Sequence, residues 1–509
     1  MCVQDRLETG SGLIGASFEV VEVSAAEGRL VLQGAVRLEL LIPKQDEHLP
    51  HQVEQAVEDA GQQLKRWAFR QLMEKLDAEL ILAERGGKEG LGIVCRGLRH
   101  MTFKTTFGTV LVRRRRIQHQ ADGSTEIPAA RVWDTPQQVT ITQGLSDATC
   151  DAMLRESSRK SLREIEQRAG EPELLGRVTV LNIVHREGRA LRAAAKRRAH
   201  AVFLTNPEAR RCLLPSIREP TAEEQTPGSG PGQDAPGEPL LGFPGAAPGK
   251  AVEEEEPRRV DADTVMLQAD EVVVDAQAST GSKQLKVYTA VVTTAQSTWY
   301  FGEENARSII YLVGALLAVL GVHEGKLRLL FVNDGARWIR DWFQGLKVTG
   351  KTMVLCWYHL AKRCFSDLGQ AWSGRKQRDQ VCEEILGHLW EGRMDEALTF
   401  LAEHRKDKEV RSRPALDQFV DYLENRRAYL PNYSERHQGG LWIASNRVEK
   451  LNDWAVSQRC KGNGMDWTRD GVLALAVLEA ARRNGELPIW RSNRTFPIWV
   501  ATPNETLAA

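Results

Sequence analysis

Leu327-Arg-Leu-Leu-Phe-Val-Asn-Asp334-Gly-Ala decides how the chain folds: it is an apolar run of strand length that stops on a carboxylate and a glycine. A run without polar alternation is what a strand buried on both faces needs, and such strands belong to parallel sheets covered by helices. Upstream, Val265-Met-Leu-Gln-Ala-Asp270 repeats the pattern and again closes on an aspartate. Leu285-Lys-Val-Tyr-Thr-Ala-Val-Val-Thr and Thr298-Trp-Tyr-Phe-Gly read as two further strands, and Ile309 to Leu320 as the first helix. The last strand expected is Thr352-Met-Val-Leu-Cys-Trp-Tyr-His359. Three strands, a helix, a strand, a helix and a strand make this segment α/β.

That order fits an RNase H-like core, in which carboxylates at the ends of adjacent strands meet at one edge of the sheet. Asp270 then stands where a metal-bridging ligand belongs and Asp334 where a second belongs. Glu449, on the helical segment Asn446-Arg-Val-Glu-Lys-Leu-Asn-Asp-Trp, is the candidate third. In-line phosphodiester cleavage needs one metal to activate the attacking oxygen and another to stabilise the leaving oxygen, about 3.5–4 Å apart, and hard oxygen ligands hold such ions. Singly, each acid has an ordinary explanation. A strand-end aspartate caps a turn, Asp334-Gly335 is a common turn pair, and Glu449 is one of many glutamates. Asp275 is a rival first aspartate; Asp270 is preferred because it ends the apolar run.

Working outward, the charged stretch from Leu360 to about Tyr433 reads as an all-α insertion. The core is expected at 260–359 and 440–485, the insertion at 360–439 and a C-terminal tail at 486–509. Glu219 to Glu256 is rich in Pro, Gly and Glu and has almost nothing to bury, so 218–259 is expected to be a disordered linker. Residues 1–135 read as α+β. They open with strands at Arg29-Leu-Val-Leu-Gln and Arg37-Leu-Glu-Leu-Leu-Ile, continue in a polar helix from Gln52 to Glu84, and end in a hairpin turning near Gly108. Residues 136–217 read as short helices: Ala148 to Arg155, then a helix capped by Ser157 or Ser158 and stopping at Ala169-Gly170-Glu171-Pro172, then a third from near Val178. Two helices, a glycine break and a third helix resemble a helix-turn-helix reader. Arg177, Thr179, Asn182 and Arg186 would face DNA, and Arg189, Arg192, Lys196, Arg197 and Arg198 would form a phosphate-binding extension; a packing role is the other reading.

The bulk properties agree with a multidomain protein without a membrane span. A chain of 509 residues implies two to four domains, and 42% hydrophobic with 27% charged residues gives enough material for soluble cores. No apolar run reaches the roughly 18 residues that a span needs, and Met1-Cys2-Val3-Gln4-Asp5 lacks the basic start of a secretory signal, so an intracellular protein is expected. The eight cysteines are scattered, with no C-x-x-C pair, which points to reduced thiols. Net charge is zero, yet Val94 to Gln120 holds seven Lys or Arg and no acid, including Arg113, Arg114, Arg115 and Arg116. Such blocks neutralise phosphates while acidic segments elsewhere balance the total, although a solvated charged face is the plainer reading of either block alone.

Several words together resemble one family. Asn333-Asp334-Gly335-Ala336-Arg337-Trp338-Ile339 resembles the second-aspartate motif of DDE insertion-sequence transposases of the ISLre and ISKra type. Cys356-Trp-Tyr-His359-Leu360 resembles their Cys/Asp-x-x-His motif. Glu449, followed by Arg459 and Met465-Asp466-Trp467-Thr468-Arg469-Asp470-Gly471, resembles their glutamate block. The resemblance covers about Thr264 to Arg483 well, and departs from the family at Asp466 and at Lys461-Gly-Asn-Gly. It implies an RNase H-like core with Asp270, Asp334 and Glu449 holding two Mg2+ or Mn2+ ions. It implies binding of the element's terminal inverted repeats and of target DNA, with Arg337, Arg459 and Trp467 among the DNA contacts. It also implies assembly as a homo-oligomer on paired DNA ends in a bacterial or archaeal cytoplasm, at the nucleoid, and no membrane partner. His359 is expected at the active edge, holding the scissile phosphate or an attacking water, with a buried packing histidine as the alternative. A zinc site at Cys356 and His359 lacks a third ligand unless Cys364 supplies it. Lys362 and Arg363 would bind phosphate or face solvent. A nuclease without strand transfer, and a DNA-binding regulator or inactive relic, are the rival functions.

Overall fold

The structure is a computed structural model that describes residues 13–26, 29–40, 49–86, 92–133, 138–215, 260–407, 410–462, 466–494 and 502–503. The chain divides into two compact units, Met1–Val184 and His185–Ala509. The expected linker at 218–259 lies wholly outside the described residues, as does most of the C-terminal tail.

In the first unit, β1 (Leu13–Ala26) and β2 (Arg29–Leu40) pair antiparallel, and α1 (Leu49–Gly86) follows. The hairpin forms as β3 (Ile93–Thr105) and β4 (Gly108–His119), with Gly108 at φ +108°, a backbone state open to glycine. With β5 (Thr125–Glu126), α2 (Pro128–Val132) and β6 (Val139–Ile141) it completes a mixed sheet of order β5-β4-β3-β6. Met101, Phe103, Val110 and Val112 form its core and pack on Phe69 and Met73 of α1. Next come α3 (Gln143–Arg155), capped by Thr142, and α4 (Ser158–Ala169), capped by Ser157 and ended by Gly170 in the left-handed region. Helix α5 (Arg177–Thr205) follows, 29 residues long where a short reader was expected. The division between units falls inside α5, after Val184.

The second unit takes the rest of α5, whose buried stripe continues through Leu191, Ala199 and Phe203, and then α6 (Pro207–Leu213). Strands β7 (Thr264–Asp275), β8 (Gln284–Thr293) and β9 (Ser297–Glu303) come first, then α7 (Ala306–Val319). They are followed by β10 (Arg328–Asn333), α8 (Arg337–Gly345), β11 (Lys351–Leu355) and α9 (Trp357–Ala371). The expected element order is the order found. Two boundaries differ: β7, expected to close at Asp270, runs on to Asp275, and the last strand stops at Leu355 with Cys356 the N-cap of α9, so His359 sits on a first helical turn. Helices α10 (Arg375–Trp390), α11 (Met394–His404), α12 (Arg413–Glu424) and α13 (Tyr433–Gln438) make the insertion helical. The chain returns in α14 (Asn446–Asn452), a π turn over Asp453–Ser457, α15 (Gln458–Cys460), α16 (Arg469–Arg483) and α17 (Leu487–Asn493), and β12 (Thr502–Pro503) pairs with β9.

The sheet has the order β11-β10-β7-β8-β9-β12. β10 and β11 run parallel to β7, while β8 is antiparallel to both its neighbours. Alternation sends Val265, Leu267, Ala269, Ala290 and Val292 into the core with α7. The other face meets the returning helices: Arg447 Nη1 donates to Thr298 Oγ1 at 3.0 Å, and a methyl at Gly302 would come within 3.2 Å of Ala476 Cβ on α16. α5 approaches α16 more closely still, because a Cβ at Gly188 would lie 2.5 Å from Ala474 Cα. Among the described residues no helix is long and apolar enough to cross a membrane.

Beside that contact, His185 lies over Gly471 and its pKa is lowered, first by burial and then by Arg189, against an opposing pull from Asp470. A histidine whose folded pKa is depressed stabilises fully above its unfolded value, about 6.5, and loses that contribution as pH falls through the folded value. Thermal unfolding should therefore show stability declining below pH 6.5 by at most about 1.4 kcal/mol per pH unit, the limit for one proton, and His185→Gln should remove that component.

Candidate active site

The carboxyl ends of β10 and β11 lie beside the middle of β7, and the candidate residues sit there. The β10–β7 ladder keeps a constant offset of 64 residues and ends at Phe331 opposite Leu267; the same offset separates Asp334 from Asp270. Beyond that pair the strands part, and the buried Asn333 side chain fills the gap by accepting from Ala269 N. β7 itself continues along β8 to Asp275, so Asp270 is not a strand end on that side. Asp275 is exposed and about 16 Å further along at strand rise; its carbonyl accepts from Trp467 N. The structure thus gives Asp270 the place beside the end of β10 and Asp275 the far end of the hairpin.

Each acid is held from behind. Asp270 Oδ1 accepts from Glu271 N at 2.7 Å, and Oδ2 accepts from Asn452 Nδ2 at 2.7 Å. Asp334 Oδ1 accepts from Ala336 N at 2.9 Å in a turn that Gly335 makes at φ +74°. Glu449 Oε1 accepts from Ser445 Oγ at 2.8 Å and lies 3.7 Å from His359 Nδ1. Gln268, fully buried two residues before Asp270 and so on the same face, sets α14 in place. Its Oε1 accepts from Arg447 N and Val448 N, which begin the helix, and its Nε2 donates to Ala444 O.

The electrostatics mark one shared neighbourhood. Burial, then Asp334 and Glu449, push Asp270 up to about 7, against opposing pulls from the Glu271 amide and His359. Burial also raises Asp334, with His359 opposing. The neighbouring His359 and Arg426 offset only part of the cost of burying these two carboxylates, and a bound divalent ion would offset more of it. Burial would hold His359 neutral, but the Cys356 sulfur, Asp334 and Glu449 outweigh it and push the imidazole up to about 10. On Cys356 burial raises the thiol, and His359 with Ser445 brings it below its ordinary value. Among the described residues, the ligand atoms that lie within 4.8 Å of one another belong to Cys356, His359 and Glu449, and the three carboxylates do not close into such a set.

The basic residues separate into groups that the sequence did not distinguish. Strand alternation puts Arg114 inside, over the Phe103 and Trp133 rings, with its pKa lowered to about 10 by burial. Arg113 and Arg115 pair with Glu74 and Asp77 of α1, and Arg116 is exposed. The run is therefore not four phosphate contacts side by side. On α5, Arg177, Asn182 and Arg186 are exposed and Thr179 is half-buried; Arg177 Nε donates to Ser158 Oγ, and Arg186 lies 3.3 Å from Glu187. The expected phosphate-binding extension divides: Arg192 and Arg198 are turned inward, Lys196 is half-buried, and Arg189 and Arg197 are exposed. Arg192 and Lys196 pair with Glu303 and Glu304, Arg198 with Glu486 and Arg189 with Asp470. Arg337 is exposed, 3.9 Å from Asp341, and Arg459 is half-buried. Trp467 donates from Nε1 to Cys460 O, and its backbone bridges Ala276, so it ties its loop to the end of β7. Arg363 pairs with Asp367, and Lys362 is exposed.

Sequence reasoning missed Asn452, Ser445, Gln268 and Arg426. Arg426 reaches from the insertion to donate to Gly335 O at 3.2 Å and stacks 3.9 Å over Tyr422, which also carries the Arg363 guanidinium at 5.4 Å. A polar Gln268 inside an apolar strand was the one local signal available, because a buried amide must be satisfied by something. No family model matches the sequence, and no curated protein matches it.

Proposed function

We propose that the protein is a DDE-type transposase: a DNA-cutting and DNA-joining enzyme whose catalytic centre is Asp270, Asp334 and Glu449 on an RNase H-like core. The observation that carries the reading is that Asp270 on β7 and Asp334 just past the end of β10 lie on adjacent parallel strands at the ladder's own offset, and that Asp334 and Glu449 both raise the pKa of Asp270. A sheet order with β7 central and only β8 reversed among β7 to β11 supports the core assignment. Asp270, Asp334 and Glu449 would hold two Mg2+ or Mn2+ ions, which supply activation of an attacking oxygen and stabilisation of a leaving one. The chain's own groups do the positioning. Asn452 fixes one oxygen of Asp270 and leaves its other lone pairs for a ligand. Protonated at neutral pH, His359 presents positive charge to a phosphate beside Asp334 and Glu449.

Arg426 is a positioning residue in this account, because it holds the turn on which Asp334 stands. Arg426→Ala should slow cleavage roughly 10–100-fold, the usual cost of an outer support of a metal ligand, and Arg426→Lys should recover part of it. The exposed start of α5 is the DNA reader. Arg177→Ala should weaken duplex binding uniformly across sequences and reduce the slope of log affinity against log salt by about 1, whereas Asn182→Ala should relax sequence preference instead.

Assembly of copies on paired element ends belongs to the same proposal. The test is a joining assay: a duplex ending in a pre-cut element terminus with a free 3′-hydroxyl, incubated with plasmid and Mg2+. Joined product supports the transposase; cutting without joining supports a nuclease; binding without either supports a regulator or relic.

A further inference from the structure

Cys356 Sγ, a His359 ring nitrogen and a Glu449 carboxylate oxygen lie within 4.8 Å of one another, on the cap and first turn of α9 and on α14. The set differs in kind from the carboxylates beside it. Oxygen-only ligands suit hard ions, whereas sulfur, imidazole and one carboxylate suit a borderline-soft ion of the zinc class. Distances agree with that chemistry: His359 Nδ1 and Glu449 Oε1 are 3.7 Å apart, and two such ligands on a tetrahedral zinc stand about 3.4 Å apart, a closure of a few tenths of an ångström.

The supports are those a metal site needs. Ser445 N donates to Cys356 Sγ at 3.4 Å, and Ser445 Oγ donates to Glu449 Oε1 at 2.8 Å, so one residue orients two of the three ligands. Cys356 is fixed by its own amide, which donates to Asn333 O at 2.7 Å at the end of β10. The sequence offered Cys364 as the nearest third ligand, but Cys364 is buried among core residues, where its carbonyl accepts from Cys382 Sγ. Glu449, 90 residues beyond His359, takes that place.

We propose that Cys356, His359 and Glu449 form a three-ligand site for a single zinc-class ion, with a fourth position open to water or another ligand. Glu449 belongs to both sets, so occupation by a thiophilic ion withdraws it from the carboxylates. Binding at this site stands apart from the transposase reading and is measured without DNA.

The probe is Co2+, titrated into the full reduced chain. A thiolate-to-cobalt charge-transfer band saturating at one equivalent is expected, displaced by Zn2+. Cys356→Ser should abolish it, although seven other cysteines remain. Glu449→Gln, at a side chain exposed enough to leave the fold intact, should weaken Co2+ at least about 10–100-fold, no less than loss of an outer-shell partner costs. Absence of the band, its persistence in folded Cys356→Ser, or unchanged affinity in Glu449→Gln overturns the site. Inactivity on DNA would leave the band in place and would count against the transposase reading alone.

Discussion

Replacement of Asp270 by Asn is expected to lower Mg2+-dependent cleavage of an element end at least about a thousandfold, the upper range for loss of one preorganised electrostatic group. Duplex binding should be retained. The substitution keeps the side chain's shape and can still accept from Glu271 N, while it gives up the bond from Asn452 Nδ2 to Oδ2 and removes the charge that a bridging ligand supplies. Stability should move the other way. A carboxyl whose folded pKa is raised to about 7 costs the folded state as pH climbs from its unfolded value, about 3.9, to 7, so a neutral amide removes that cost. Without metal at pH 7, Asp270→Asn should unfold at least as high as wild type, and a rise of about 2–4 °C would correspond to about 1 kcal/mol in a unit of this size. Lost cleavage together with a lowered melting temperature would mean that Asp270 is a structural residue.

The second large effect is on folding. Arg192→Ala should destabilise the second unit by about 3–5 kcal/mol, the cost of stripping one partner from a buried ion pair. Glu303 is fully buried, and Arg192 meets it through Nη2 at 2.7 Å and through Nε at 3.2 Å to both oxygens. Lys196, 3.6 Å away and more exposed, is a poor substitute. Urea unfolding of Arg192→Ala, Glu303→Gln and the double variant measures the coupling: the double should be less damaged than the sum of the singles. If Arg192→Ala keeps its stability but loses DNA affinity and salt dependence, the arginine is a phosphate contact after all.

What the sequence made legible follows from how far each signal travels. Apolar runs closed by an acid require only local chemistry to be read as doubly buried strands; β7 and β10 formed, with Asp334 just past the end of β10, whereas β7 runs five residues beyond Asp270. The arginine block was misread although period two was available. In a strand, four consecutive arginines cannot face one way, so Arg114 had to oppose Arg113 and Arg115. What sequence spacing lacked was the partner: Glu74 and Asp77 stand on α1, almost 40 residues upstream. The same holds for Arg192, whose acid lies 111 residues later, and for Cys356 and His359, whose third neighbour comes from beyond an entire helical insertion. A strand was extended through His359 because Cys-Trp-Tyr suits a sheet, but the apolar run is also compatible with a helix start once Cys356 takes an extended cap conformation.

Glu449 joins the candidate centre from the far side of the insertion, and it is the residue on which the account depends most. The most direct measurement is nicking of a duplex carrying the element's own terminal repeat, with Mg2+, by wild type and by Glu449→Gln under conditions where both bind the duplex. The account predicts a nick at the element end by wild type and none by the variant. Equal nicking by the two, or binding by wild type without any nick, would contradict it.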